Sequence, residues 1–180
     1  MKPIINDFTL RPRIEERQPV IAIACRLTGR YETLPYPEAW ECIMKCCTDN
    51  HLPYLDQGVE YINVFHDDPT EIRAENCRAD VCLAAAADCP SAQADIRRMR
   101  LDHHHLRRIT IPGGRYLVFT HVGPYENLGK TYLRIYYDYL PKSRHNKDPR
   151  TERSMFEKYL NDPSETHAEE LLTEIWIPVL

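Results

Sequence analysis

Glycine is scarce in this chain, six among 180 residues, and the few present form no phosphate-cradling loop, dinucleotide fingerprint or nucleophile elbow. Serine is scarcer still, with four residues and none in a Gly-flanked turn, so a familiar hydrolytic triad has no support. Neither sign of charge dominates: 23 Lys and Arg against 27 Asp and Glu give a net charge of −4, and the pI is near 6.1. That balance excludes a general attraction to nucleic acid or to an anionic membrane. Long apolar runs are missing too. No stretch approaches the roughly 18 residues of a membrane-spanning helix. The opening MKPIINDFTLRPRIEERQPV lacks the apolar core of a secretory signal, so the chain is expected to be cytoplasmic. Seven cysteines, an odd number without an export signal, read as reduced thiols. They form no C-x-x-C pair, and Cys42 and Cys46, at i and i+4, read as small apolar fillers of a helix face. No cofactor or metal is implied.

What the chain has in excess is tyrosine, 11 residues against four Phe and two Trp. Tyrosine suits half-buried surfaces, where the ring packs and the hydroxyl finds a polar partner. With 43% hydrophobic and 28% charged residues the chain is an ordinary globular protein, one domain or two small ones.

The sequence repeats itself at a constant offset. Thr28-Gly29-Arg30-Tyr31-Glu32-Thr33-Leu34 echoes Val122-Gly123-Pro124-Tyr125-Glu126-Asn127-Leu128, and 123 − 29 = 94. Asp67-Asp68-Pro69-Thr70-Glu71 echoes Asn161-Asp162-Pro163-Ser164-Glu165 at the same offset, 163 − 69 = 94. Without a gap, residues 25–84 and 119–178 share ten identities, where random pairing gives about four. The chain therefore reads as two copies of one unit, about 12–84 and 111–180, joined by a linker at 85–110 within a single domain.

Each copy opens with an apolar strand, Val20–Cys25 or Tyr116–Phe119, and turns at Gly-x-Tyr-Glu. A helix follows, over Pro37–Asn50 or Leu128–Leu140, with Asn127 placed to cap the second. Strands at Val59–Phe65 and Met155–Leu160 and closing strands at Arg78–Leu83 and Leu172–Ile177 complete two β-α-β-β units. Side by side, these predict an α+β fold, a pseudo-twofold antiparallel sheet with two helices on one face and a groove at the seam.

Arg97–Arg108 holds five Arg and three adjacent His, and reads as a solvated linker rather than a phosphate or metal site. One carboxylate stands out. In Leu172-Thr173-Glu174-Ile175-Trp176-Ile177 the alternation puts Glu174 and Trp176 on one face and the isoleucines, expected under the helices, on the other. Asp80 is its counterpart, since 174 − 94 = 80. The middle strand puts Glu157 and Tyr159 on one face, with Asn63 and Phe65 as counterparts. Acids beside aromatic rings suit a lipophilic cation or a planar molecule.

The ordered motifs Gly113-Gly114-Arg115-Tyr116, His121-Val122-Gly123-Pro124-Tyr125-Glu126, Tyr159-Leu160-Asn161-Asp162-Pro163 and Leu172–Pro178 resemble the GyrI-like family, and Thr28–Glu32 and His66–Pro69 resemble it in the first half. That family supplies the effector-binding domain of AraC-type and MerR-type multidrug regulators. The resemblance implies a groove between two modules that binds a lipophilic, cationic or aromatic small molecule, for sequestration or sensing. It implies a central acid on the last strand, at Glu174, and an aromatic lining from Tyr159 and Trp176; Glu157, Phe65 and Tyr116 join them as candidate ligand contacts. It also implies two alternatives: hydrolysis of strained electrophilic drugs by Glu174 or Glu157 with Tyr159, or action on DNA gyrase as a protein partner. The second copy is expected to dominate binding, because Trp176 stands where the first has Cys82.

Overall fold

Alternating apolar runs become strands where expected, and a computed structural model describes residues 11–52, 57–101, 105–145 and 153–180. The strands are β1 (Arg13–Arg17), β2 (Val20–Thr28), β3 (Val59–Phe65), β4 (Arg78–Ala85), β5 (Leu106–Ile111), β6 (Gly114–Val122), β7 (Met155–Tyr159) and β8 (Leu172–Pro178). Three helices accompany them: α1 (Tyr36–Asp49), α2 (Pro90–Arg98) and α3 (Leu128–Leu133), which widens into a π-helical stretch over Arg134–Tyr139. All ladders are antiparallel, in the order β1-β6-β8-β7-β3-β4-β2-β5.

The pairing registers repeat at the offset read from the sequence. Ala22 faces Ala84 as Tyr116 faces Pro178, and Ile62 faces Cys82 as Phe156 faces Trp176, each a shift of 94. Gly29 N–H and Gly123 N–H each donate 2.8 Å to Cys77 O and Leu171 O, from backbones at φ +146° and +123° that favour glycine. Asp68 and Asp162 each accept from the backbone N–H two residues on, at 2.8 and 2.7 Å.

Three expectations need correcting. The region taken as a linker, 85–110, holds α2 and β5, so three helices cover the sheet instead of two. Each unit also carries an extra first strand, β1 or β5, giving β-β-α-β-β. Both are rich in charge, Arg-Ile-Glu-Glu-Arg and Leu-Arg-Arg-Ile-Thr-Ile, because they lie at the sheet's edges. Asn127 does not cap α3. It already has helical φ and ψ, because a 3₁₀ turn at Tyr125–Asn127 runs straight into the helix, and its Oδ1 accepts from Lys130 Nζ at 3.1 Å. Of the basic run, His103 and His104 lie outside the described residues. Arg97 and Arg98 end α2, and Arg107 and Arg108 lie in β5.

The topology forces the sheet to curl. β1 and β2 stand six strands apart, as do β5 and β6, which is about 28 Å in a flat sheet. Only Gln18-Pro19 and Pro112-Gly113 join them, and three Cα steps reach about 11 Å. The curl brings Arg17 of β1 into an ion pair with Glu60 of β3, and its guanidinium lies 5.3 and 5.4 Å from the Phe156 and Trp176 rings. The two links meet where Gly113 packs on the Arg17 carbonyl and Pro19; a Cβ there would sit 2.5 Å from that oxygen.

The curl divides the core. On the helix face, α1 and α2 cover Ile23, Val81 and Leu83, and α3 covers Leu117, Phe119, Ile175 and Ile177. The isoleucines thus lie beneath the helices, as their alternation predicts. On the opposite face Tyr116, Phe156 and Trp176 form a cluster of rings with centroids 5.2–5.7 Å apart.

Candidate functional site

The seam between β3 and β7 pairs Asn63 with Glu157 and Tyr61 with Tyr159. Alternation turns all four to the helix face, in line with Ile175 and Val81 on the neighbouring strands. A carboxylate is thereby built into the floor between α1 and α3, 5% exposed. Tyr132 of α3 donates to its Oε1 at 2.6 Å, and Tyr159 donates to its Oε2 at 2.5 Å. No cation pairs with it among the described residues. Burial drives the Glu157 pKa up, and the two phenol hydrogen bonds offset that only in part.

Aromatic rings surround this acid. Tyr125 meets Tyr159 edge to face at 5.5 Å, and Tyr31 meets Phe65 in the same way at 4.9 Å, 94 residues earlier in each case. Trp40 of α1 leans on Tyr61 at 5.5 Å, and Tyr132 stacks with Tyr136 at 6.4 Å. Burial raises the phenol pKa of Tyr31 and of Tyr136 to about 12, and the charge of Glu157 adds to burial in raising those of Tyr132 and Tyr159. The phenols therefore stay protonated throughout the neutral range, Tyr132 and Tyr159 as donors to the carboxylate.

The six residues expected in one groove divide between the two faces. Glu157, Tyr159 and Phe65 lie on the helix face at the seam. Glu174, Trp176 and Tyr116 lie on the opposite face, because Glu174 pairs with Lys158 and Trp176 with Phe156, out of phase with Glu157. There Glu174 accepts from Arg13 Nη2 at 2.6 Å and from Trp176 Nε1 at 3.0 Å, so its charge is already matched. Tyr116 is fully buried, its hydroxyl donating to Pro112 O at 2.9 Å. Tyr132, Tyr31 and Tyr125 were not among the expected site residues, and nothing local in the sequence shows that the Tyr132 hydroxyl meets an acid 25 residues on.

Asp80 occupies the place equivalent to Glu174 and is held harder. Arg107 pairs with it at 2.5 Å, as Arg13 pairs with Glu174, and Arg26 and His66 add contacts at 2.5 and 2.6 Å. Burial alone would raise its pKa. The hydrogen bonds of His66, Arg26 and Arg107 more than reverse that and hold it well below the usual carboxylate range. This contribution to stability is complete above the ordinary aspartate pKa and is lost as pH falls through the depressed one. Asp80→Asn is therefore expected to lower stability at pH 7 by about 1–3 kcal/mol and to flatten its loss in strong acid, read from urea midpoints across pH.

Among the described residues, no group of three or more His, Cys, Asp or Glu could hold a metal ion, and no helix is long and apolar enough to cross a membrane. A DNA gyrase inhibitor from Yersinia enterocolitica is 28% identical over 153 residues, 83% of this chain and 86% of that protein. The fold resembles EcmrR in a complex with DNA, with a TM-score of 0.68 and 18% identity over 94% of this chain and 57% of that one. It also resembles SAV2435 bound to tetraphenylphosphonium, with a TM-score of 0.55 and 15% identity over 95% and 94% of the two chains. The GyrI-like profile covers residues 10–180, both ends of the repeat included, and the chain belongs to the family of GyrI-like small molecule binding domains.

Proposed function

We propose that the chain binds a lipophilic aromatic cation in the groove between α1 and α3, with Glu157 as its counter-charge and the surrounding tyrosines as its walls. One observation carries this reading: a buried carboxylate, held by two phenol hydroxyls, has no cation of its own among the described residues. A bound cation would supply that charge in a water-poor site, where attraction is stronger than in bulk. The groove lies on a pseudo-twofold axis between two modules, for which the Asn63–Glu157 pairing is the support, since 63 + 94 = 157. The acid sits on one side of that axis only, which favours the second copy as the dominant half. Glu174 and Trp176 act on the far face as structural partners of Arg13. The protein works as a cytoplasmic sink or sensor for such compounds.

Tetraphenylphosphonium, the cation in the SAV2435 structure, is the first probe. It is expected to raise the melting temperature by several degrees at about 100 times its Kd, where binding contributes about 2.7 kcal/mol. No shift with any member of a lipophilic-cation panel would count against the reading.

A second reading, hydrolysis of a strained electrophile, is favoured by the raised pKa of Glu157 beside the Tyr159 hydroxyl, an acid able to protonate a leaving group. Mass spectrometry that finds the compound intact after long incubation removes it. An action on DNA gyrase has the name of the Yersinia relative as its support, and gyrase supercoiling assays with purified protein test it.

A further inference from the structure

The floor of the groove holds a second polar atom that the protein leaves unmatched. Asn63, 4% exposed, stands directly opposite Glu157 in the β3–β7 ladder. Its Nδ2 donates to Tyr159 Oη at 2.8 Å, and Tyr159 uses its single hydroxyl proton on Glu157 Oε2. Tyr159 therefore has no proton to give Asn63. This fixes the amide with its nitrogen toward the phenol and its oxygen turned elsewhere. That oxygen, Asn63 Oδ1, is buried and has no donor among the described residues. The other phenol that reaches the acid, Tyr132, uses its proton on Glu157 Oε1. Thr173, paired with Tyr159 on the neighbouring strand, carries another buried hydroxyl without a partner.

The floor thus lacks two things. Glu157 needs a positive charge, and Asn63 Oδ1 needs an N–H or O–H. A quaternary onium supplies only the charge, and it would seal the amide oxygen away unbonded. An ammonium with at least one N–H supplies both from a single atom. A site built around a hydrogen bond discriminates strongly against a ligand that lacks the matching group. We infer that the groove recognises a protonated amine with an aromatic or apolar body, its charge facing Glu157 and its N–H donated to Asn63 Oδ1, in preference to a quaternary cation. This deepens the proposed reading of Glu157 and rests on it. The amine then straddles the seam, with its anchor on β7 and its hydrogen bond on β3.

A pair of probes differing by one methyl isolates the N–H. N,N-dimethyl-1-naphthylmethylamine is protonated at pH 7, and its N-methylated quaternary salt keeps the charge and the ring. Isothermal titration of the full chain is expected to show the amine binding at least about tenfold more tightly. Asn63→Leu, which removes the acceptor at similar volume, should bring the two within about twofold by weakening the amine. The wild-type comparison needs no variant, so it stands even if Asn63→Leu folds poorly. Equal or tighter binding of the quaternary salt, with both probes lost in Glu157→Gln, would overturn the amine inference and leave the Glu157 reading intact. Binding of both that ignores Glu157→Gln, or of neither, overturns the two together.

Discussion

Glu157→Gln is expected to weaken tetraphenylphosphonium binding at least about thirtyfold, while the free protein keeps its melting temperature or gains a degree or two. The loss follows from removing the charge that faces the cation in a desolvated site, a change worth about 2–5 kcal/mol. The retained or increased stability follows from the same burial. An ionised Glu157 without a cationic partner is a cost to the empty fold, and the neutral amide keeps a carbonyl to accept from one of the two phenols. The sign with pH is fixed by the direction of the shift. The folded pKa of Glu157 lies above its unfolded value, so the fold is favoured on this account at low pH and loses that advantage as pH rises through the raised pKa. Ligand binding should run the other way, strengthening over the same interval as the carboxylate ionises. The variant should show neither trend. Calorimetry across pH on both proteins reads all three effects, and a variant that binds as well as wild type would remove Glu157 from the site.

Gly113→Ala is expected to destabilise the fold severely. A Cβ at residue 113 would stand 2.5 Å from the Arg17 carbonyl oxygen, 2.7 Å from Pro19 N and 2.8 Å from Pro19 Cδ. All three belong to main chain or to a proline ring, so no flexible side chain can swing away. Overpacking commonly costs about 1–3 kcal/mol, and a contact with rigid backbone belongs at or above the top of that range. Gly129 is the control, because a Cβ there meets nothing within 4 Å. There Ala should be neutral or mildly stabilising in its helix. Urea unfolding of the two alanine variants separates them, and equal midpoints would show that the links can relax.

The repeat made most of the fold legible, because a constant offset of 94 transfers from sequence to register with no shift. Val59–Phe65 is a strand to the residue, and Glu174 and Trp176 do share the face away from the helices. The edge strands lie before the matched segments 25–84 and 119–178. Carried back by the same offset, the repeat meets Arg13 and Arg107, one residue type at equivalent places, each paired to the acid of a closing strand. The site was half legible. Alternation put Glu157 with Tyr159, and the offset gave Asn63 as its counterpart, but period-2 reasoning on separate strands does not tell which acid finds an arginine. That depends on β1 crossing to β6, a long-range pairing that five residues of mixed charge do not announce.

The exchange of first strands decides what one unit could do as a separate chain. β1 is paired to β6 of the other half, and β5 to β2. Residues 11–101 alone would leave β1 without a partner and the free edge of β2 open to any passing strand. As a separate chain, a single unit of this form would need a second copy to pair those strands, two identical chains trading their first strands and presenting two identical floors across one axis. Two units in one chain free the two positions at that axis from being the same residue. Asparagine on one side and glutamate on the other is a pair that no homodimer can make.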